Sequence, residues 1–264
     1  MGNALIGFSG FVGGTLLKSA FFDSLYRSTN IDTINGKLFD DVVCAGAPAQ
    51  KWVANRDPDG DQRKIDALIT HLKTIQCKRF ILISTIDVFR DSKGVDEKTI
   101  VDESGLHAYG LHRRFLEKFV ESQFPNHLIV RLPGLVGPGL RKNVIFDFLN
   151  ENNLHTVDSE SVFQFYPMVN LWYDIQTALN AGLKLVHLTA EPISVADVAK
   201  KGFGKVFDNV LSNAPSMYDM RTIYAKEFGV MGHYQYTARE TILAIRAYAQ
   251  SESLAIQPES EINS

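Results

Sequence analysis

The sequence predicts an α/β fold, a doubly wound parallel sheet, from the order of its apolar runs and the turns that end them. Leu5-Ile6 runs into Gly7, Val42-Val43 into Cys44-Ala45-Gly46-Ala47, and Phe80-Ile81-Leu82-Ile83 into Ser84-Thr85, with helical spacing after the turns. Strand alternating with helix gives βαβ units, and these close a parallel sheet. The first unit is the most explicit. Ala4, Leu5 and Ile6 lead into Gly7, Gly10 and Gly13, spaced G-x-x-G-x-x-G, after which Val12, Leu16, Leu17 and Ala20 recur at helical intervals. Glycines there let the backbone approach a pyrophosphate, and the helix N-terminus that follows offers unpaired N–H groups and a positive dipole end. Gly7, Ser9, Gly10, Phe11, Val12 and Gly13 are the expected phosphate-binding residues.

The second strand, around Ser24-Leu25-Tyr26, ends in the polar loop Arg27-Ser28-Thr29-Asn30. In a dinucleotide-binding unit the residue about 20 positions past the first glycine meets the adenosine ribose, and an acid there selects a free 2′-hydroxyl. Here that residue is Arg27. Its planar fork of donors, with Ser28 beside it, suits a 2′-phosphate, so NADP is expected, with NAD as the second choice. Asp32 is the acidic rival, deeper in the loop. Few residues separate Arg27 from Asp41, which predicts a short or absent crossover helix. The small side chains Cys44, Ala45, Gly46 and Ala47 at the next strand end leave room for a flat ligand. Asp57-Pro58-Asp59-Gly60-Asp61 lacks the later acid of a calcium loop and reads as the solvated start of a helix carrying Ile65, Leu68, Ile69, Leu72 and Ile75.

Tyr109 opens a further helix, and Arg113 stands four residues on, on the same face. A cation beside a phenol favours its ionised form and lowers a pKa that is ordinarily about 10. With Thr85 at a strand end, Tyr109 and Arg113 form a candidate catalytic, proton-transfer set.

Taken together these segments resemble the extended short-chain dehydrogenases/reductases, the group that includes the NAD-dependent epimerase/dehydratases of nucleotide sugars. The glycine loop, the Cys44 strand end, Ser84-Thr85-Ile86-Asp87-Val88-Phe89, Arg131-Leu132-Pro133-Gly134-Leu135-Val136-Gly137-Pro138-Gly139 and Glu191-Pro192-Ile193-Ser194-Val195-Ala196-Asp197-Val198-Ala199 match the family's motifs in order. The resemblance implies a Rossmann-type sheet with a small C-terminal α+β substrate cap. It also implies hydride transfer at the nicotinamide with Tyr109 as acid or base and Thr85 positioning the reacting oxygen. Arg113 would then stabilise the phenolate and hold the ribose, Ser84 would belong to the cofactor site, and Pro133, Gly134 and Leu135 would line the nicotinamide. Two positions depart from the pattern. Arg113 replaces the lysine of Tyr-x-x-x-Lys, and Gly134 stands where the family commonly has an asparagine that contacts the sugar nucleotide.

Composition narrows the alternatives. With 45% hydrophobic residues and a net charge of -3, the chain can bury a core and offers no basic field for nucleic acid or anionic membrane. No apolar run approaches the length of a membrane span, and Ile6 fills the place where a myristoylation signal needs Ser or Thr. Cys44 and Cys77 form no C-x-x-C, which argues against zinc and disulfides and for a reducing cytoplasm. Gly7-Phe8-Ser9-Gly10-Phe11 lacks the second glycine of a hydrolase elbow. His107 and His112 are five apart and share no face, so no metal site is expected.

In the C-terminal third, helices are expected over Val144–Leu149, Leu171–Leu179, Tyr218–Gly229 and Thr237–Ala249, and a strand over Leu185–Leu188. Phe163, Phe165, Tyr166, Trp172 and Tyr173 either stack on a ligand or fill a small core. The expected domains are residues 1–140 for NAD(P) binding, 141–250 for a cap interleaved with the last core strand and helix, and 251–264 as a disordered tail. The functional expectation is an NAD(P)-dependent oxidoreductase or epimerase acting on a sugar-like hydroxyl or carbonyl compound. The alternative is a non-catalytic NADP-binding sensor or scaffold. A homodimer through the long helices is implied by the family analogy alone.

Overall fold

A computed structural model of the chain describes residues 1–252, so the expected tail lies, from residue 253, outside the described residues. Along the chain the first elements are β1 (Gly2–Ile6), α1 (Phe11–Ser19), β2 (Ser24–Tyr26), β3 (Leu38–Cys44), α2 (Lys51–Arg56), α3 (Pro58–Leu72), β4 (Gln76–Thr85) and β5 (Lys93–Val95). There follow α4 (Ala108–Gln123), β6 (His127–Leu132), β7 (Gly134–Val136), α5 (Val144–Asn150), β8 (Val162–Phe163), β9 (Phe165–Pro167), α6 (Leu171–Asn180) and β10 (Leu185–His187). The last are β11 (Ile193–Ser194), α7 (Val195–Asp197), β12 (Asp219–Met220) and α8 (Ala238–Ser251).

Two compact units divide this chain. The first, Met1–Pro133 with Met168–Thr189 and Met220–Gln235, holds a six-stranded sheet of order β10-β6-β4-β3-β1-β2 in which every pairing is parallel. β1 lies between β2 and β3, so the winding reverses there, and ligands of such sheets bind outside the strand C-termini at that switch point. The expected shortage of chain between β2 and β3 is met by a single 3-10 turn, Ile31–Ile34. β3, β4 and β6 are almost continuously apolar toward their C-termini because the sheet is covered on both faces: Val42, Val43, Phe80 to Leu82 and Leu128 to Val130 are at most 1% exposed. Ile65, Ile69 and Leu72 of α3 and Leu116 and Val120 of α4 close the core over them.

Buried polar pairs fix where the helices sit. The Glu117 carboxylate on α4 accepts from Arg131 Nε and Nη2 on β6 (2.9 and 2.7 Å), from Ser84 Oγ on β4 (2.6 Å) and from Arg114 Nη1 (2.9 Å). Burial by itself would raise the Glu117 pKa, but the hydrogen bonds and charge of Arg131, with Ser84 and Arg114, hold it below the ordinary carboxylate value. His187 on β10 completes the cluster, its Nδ1 against the Arg221 carbonyl (2.9 Å) and its Nε2 3.4 Å from Arg131 Nη1. That pattern assigns the neutral tautomer, in keeping with a pKa pushed down to about 3 by burial and by Arg131.

The acidic stretch before α3 is only partly a solvated helix start. Asp57 caps the helix by accepting from Gly60 N (2.9 Å), whereas Asp61 is buried and ion-paired to Arg113 and His112. Asp61 precedes Ile65, Leu68 and Leu72 by one, two and three turns, so it rides the same buried stripe. A second correction concerns Tyr218–Gly229, which is not a regular helix. Its Thr222 Oγ1 and Ile223 N donate to Glu97 (2.7 and 2.9 Å) and Arg221 N to the Val95 carbonyl (2.7 Å), and the stretch forms the short strand β12 and a 3-10 turn at Ala225–Phe228. Partners distant in sequence outbid the local periodicity.

The second unit, Gly134–Pro167 with Ala190–Asp219 and the chain from Tyr236, is α+β. β7 pairs with β9 in parallel and β8 with β11 antiparallel. α8 opens with a capping box, Thr237 with Glu240, and Tyr248 donates to the Leu140 carbonyl (3.1 Å). Phe165 and Tyr166 are core residues, 2% and 0% exposed, so at those two positions the aromatics fill the interior.

Breaking a buried ion pair leaves a charge unpaired, so Glu117→Gln should lower the free energy of unfolding in urea by about 3 kcal/mol or more. Because Glu117 is held below its unfolded value, its contribution is complete above that value and is lost as pH falls through the depressed one. The variant should therefore show a shallower loss of stability on acidification than the parent.

Candidate active site

At the switch point the strand ends and the glycine loop are joined by backbone hydrogen bonds. Gly7 N donates to the Tyr26 carbonyl (2.7 Å), Ala45 N to Ile6 (2.9 Å) and Gly10 N to Gly7 (3.0 Å). Gly7 has φ +87°, and a Cβ on it would collide with the Ala45 carbonyl; one on Gly13 would collide with the Gly7 carbonyl. The loop is thus closed on the next strand end too tightly for any side chain. Gly10 caps α1 with no side-chain hydrogen bond, unlike Asp57 before α3 or Thr237 before α8. The first turn of α1 consequently keeps its N–H groups for an anionic partner. Ser9, Phe11 and Val12 lie in this loop and first turn, and Ala45, Gly46 and Ala47 follow β3. Cys44 is fully buried, its thiol pKa pushed up to about 11 by burial, so only its backbone faces the loop chemistry.

Arg27 is exposed just beyond β2, with Nε 2.9 Å from Thr29 Oγ1 and its guanidinium over the Phe8 ring of the glycine loop, 5.8 Å from the centroid. Asn30 shapes the turn by accepting from Arg27 N (2.7 Å). Ser28 is exposed in the same turn.

Thr85 ends β4, two strands from β1. Its Oγ1 accepts from Asp87 N (3.1 Å) and lies 3.4 Å from Asp87 Oδ2, while Asp87 Oδ1 is ion-paired with Lys51 Nζ (2.7 Å) at the start of α2. Asn55, one turn after Lys51, accepts from Tyr109 N (3.0 Å), and His107 caps α4 by accepting from Gly110 N at Nδ1 (3.0 Å). Gly110 packs on the Asp87 carbonyl so closely that a Cβ has no place there. Thr85, Asp87, Lys51, His107 and Tyr109 therefore meet at the strand ends.

Arg113 is paired inside the first unit. Nη1 and Nη2 donate to Asp61 Oδ2 and Oδ1, and Nη2 also to the Pro48 carbonyl; the guanidinium lies over the Tyr109 ring at 4.0 Å from the centroid. It is 3% exposed. The cation pairs with a carboxylate and lies on the ring face. The pKa of Tyr109 is correspondingly raised, since burial outweighs the opposing charge of Arg113, where the spacing alone predicted a lowered value. Ser84 is buried with its hydroxyl committed to Glu117.

Of the remaining expected residues, Pro133 closes the first unit after β6, and Gly134 and Leu135 belong to β7 of the second. A Cβ on Gly134 would lie 2.6 Å from the Gln164 carbonyl and 3.1 Å from the Phe165 ring, so an asparagine has no room there. Sequence reasoning missed Lys51, Asn55 and Asp61. Only Asp61 left a trace, its place on the apolar stripe of α3; Lys51 and Asp87 meet across 36 positions with no local signal. Among the described residues no His, Cys, Asp and Glu side chains group into a metal site, and no helix is long and apolar enough to cross a membrane.

No family model matches this chain, and no curated protein does. Solved structures do. A dTDP-4-dehydrorhamnose reductase from Clostridium acetobutylicum is 17% identical with a TM-score of 0.69, covering 94% of this chain and 98% of its own. UDP-glucose 4-epimerase from Thermotoga maritima with UDP-glucose gives 16%, 0.70, 94% and 98%. RMD from Pseudomonas aeruginosa complexed with NADPH gives 16%, 0.71, 95% and 99%. The chain has the fold of these three solved structures.

Proposed function

We propose that the protein is an NAD(P)-dependent oxidoreductase or epimerase of the extended short-chain dehydrogenase/reductase type, acting on a sugar-like hydroxyl or carbonyl compound. The observation that carries this reading is the closure of the Gly7–Gly13 loop on Ala45 beside an α1 start without a side-chain cap, in one compact unit with Thr85 at the end of β4 and Tyr109 at the start of α4. That cradle fits a pyrophosphate, and Arg27 beside Phe8 fits a ribose 2′-phosphate, which favours NADP over NAD. The similar proteins support it: one is described with NADPH, another with UDP-glucose.

When bound, the coenzyme supplies or accepts a hydride at its nicotinamide ring. In the reducing direction Tyr109 gives its phenolic proton to the substrate oxygen as the carbonyl carbon is reduced, and recovers it from solvent. The raised pKa suits this donor role, because the phenol enters the step protonated. Thr85 Oγ1 orients the same oxygen. Pro133, Gly134 and Leu135 would line the ring, and the second unit would serve as the substrate cap, a body without an asparagine at position 134.

NADPH fluorescence should rise on titration with the protein, more tightly than NADH. Failure of both coenzymes to bind overturns the reading. With dTDP- and UDP-linked keto sugars as a substrate panel, Tyr109→Phe should reduce kcat by roughly a hundredfold or more and leave NADPH binding within about twofold. Full activity in that variant would make Tyr109 structural.

Arg27→Asp should invert coenzyme preference. Loss of the guanidinium and gain of a carboxylate weaken NADPH by roughly tenfold or more while NADH is retained. Equal effects on both would refute the assignment of Arg27 to the 2′-phosphate.

A further inference from the structure

The second unit carries a groove of about 560 Å³ between α8 and the β11–α7 segment, and no step of the proposed reaction uses it. From α8 come Arg239, Ile242, Leu243 and Arg246, at i, i+3, i+4 and i+7. That spacing is one face of a helix, so a single stripe offers a cation, two apolar side chains and a second cation. Ile242 is buried, whereas Leu243 is 45% exposed. Asp197 and Lys201 stand on the facing wall.

The two walls are locked together. A Cβ on Gly202 would lie 2.8 Å from Ile245 Cγ2, so α8 packs directly on the backbone of the π-helical turn Val198–Gly202. Arg246 Nε donates to the Lys201 carbonyl (2.7 Å), which anchors the guanidinium at the groove. The neighbouring carboxylates already have partners: Asp197 is paired with Lys201 (2.9 Å), Glu240 closes the capping box with Thr237, and Glu191 accepts from Ala238 N (2.8 Å). Among the described residues Arg239 makes no hydrogen bond or ion pair, and Arg246 has no carboxylate partner. Val162 of β8 also lines the groove, while Phe163 next to it projects from the other face of the strand and stacks with Tyr218 (5.5 Å).

Charge and spacing select the occupant. A small anion would satisfy one arginine and leave Leu243 in water, and a nucleic-acid backbone makes no use of an apolar pair. Residues seven apart on a helix lie about 10 Å apart along its axis. The complement in register is a second helix with carboxylates seven apart and two apolar residues between them, the anchor pattern by which amphipathic helices fill grooves. We propose that the groove between α8 and the β11–α7 segment docks an amphipathic acidic helix of a partner protein, whose carboxylates pair with Arg239 and Arg246 and whose apolar residues cover Ile242 and Leu243.

The probe is a fluorescein-labelled peptide that repeats Glu-Ala-Ala-Leu-Leu-Ala-Ala-Glu, titrated with the full chain and followed by anisotropy. Saturable binding is expected, weaker at high salt because exposed charges are screened. Arg239→Gln and Leu243→Ser should each weaken it by roughly fivefold or more, and Arg239→Lys should recover most of the loss. Arg239 has no partner in the fold and Leu243 lies at the surface, so these variants keep the parent's unfolding midpoint. Peptides with Gln for Glu or Ala for Leu should not bind. Absence of saturable binding, or binding indifferent to Arg239→Gln and Leu243→Ser, overturns the proposal. So does capture of the chain by phosphatidylserine vesicles that the peptide fails to displace, which would assign the cations to a membrane surface. The docking does not involve the coenzyme, so a chain that fails to bind NADPH leaves this test intact.

Discussion

The Glu117–Arg131 pair is the constraint on which the rest of the site depends. It ties the third turn of α4 to β6, and through Ser84 to β4, deep in the sheet. A buried pair of this kind adds little net stability over a well-packed apolar equivalent, because desolvation offsets much of the attraction. What it supplies is register. Glu117 is eight residues from Tyr109, a little over two helical turns, so fixing one end of α4 fixes where the other presents the phenol to the strand ends. Arg114 and His187 saturate the cluster, and the neutral state of His187 keeps a second positive charge away from Arg131.

A second buried carboxylate, Asp61, does the same about one turn nearer the start of the helix. It gathers Arg113 and His112 from α4 onto α3. Burial would raise Asp61, but the hydrogen bonds from Arg113 and His112 hold it below the ordinary value. Two anions thus hold α4 in place, and each takes an arginine as partner. An arginine at 113 is better suited than a lysine to that structural duty, since its fork matches a carboxylate bidentately and its plane lies flat on an aromatic ring. The same properties make it a poor mobile cation.

The strand-to-glycine-loop-to-helix unit, the short β2–β3 crossover, the strand end at Cys44 and the face shared by Tyr109 and Arg113 were all legible in the chain. Each depends on neighbours within one or two turns, where apolar period and turn chemistry decide the outcome. The stretch Tyr218–Gly229 misled because its periodicity is helical while its hydrogen bonds go to Glu97 and Val95, more than a hundred residues away. Asp61 misled because an acid beside Pro58 and Gly60 has the composition of a loop.

By itself, then, the sequence determined the sheet, its winding and the place of the glycine loop, because those follow from local backbone geometry and from which faces must be buried. Only the tertiary structure decided what Arg113 pairs with. Arg113 sits one turn from Tyr109 in the chain, but a charge acts through its uncompensated field, and compensation came from Asp61, 52 positions away. Electrostatic partnership is set by what burial brings into contact, which spacing along one helix does not record.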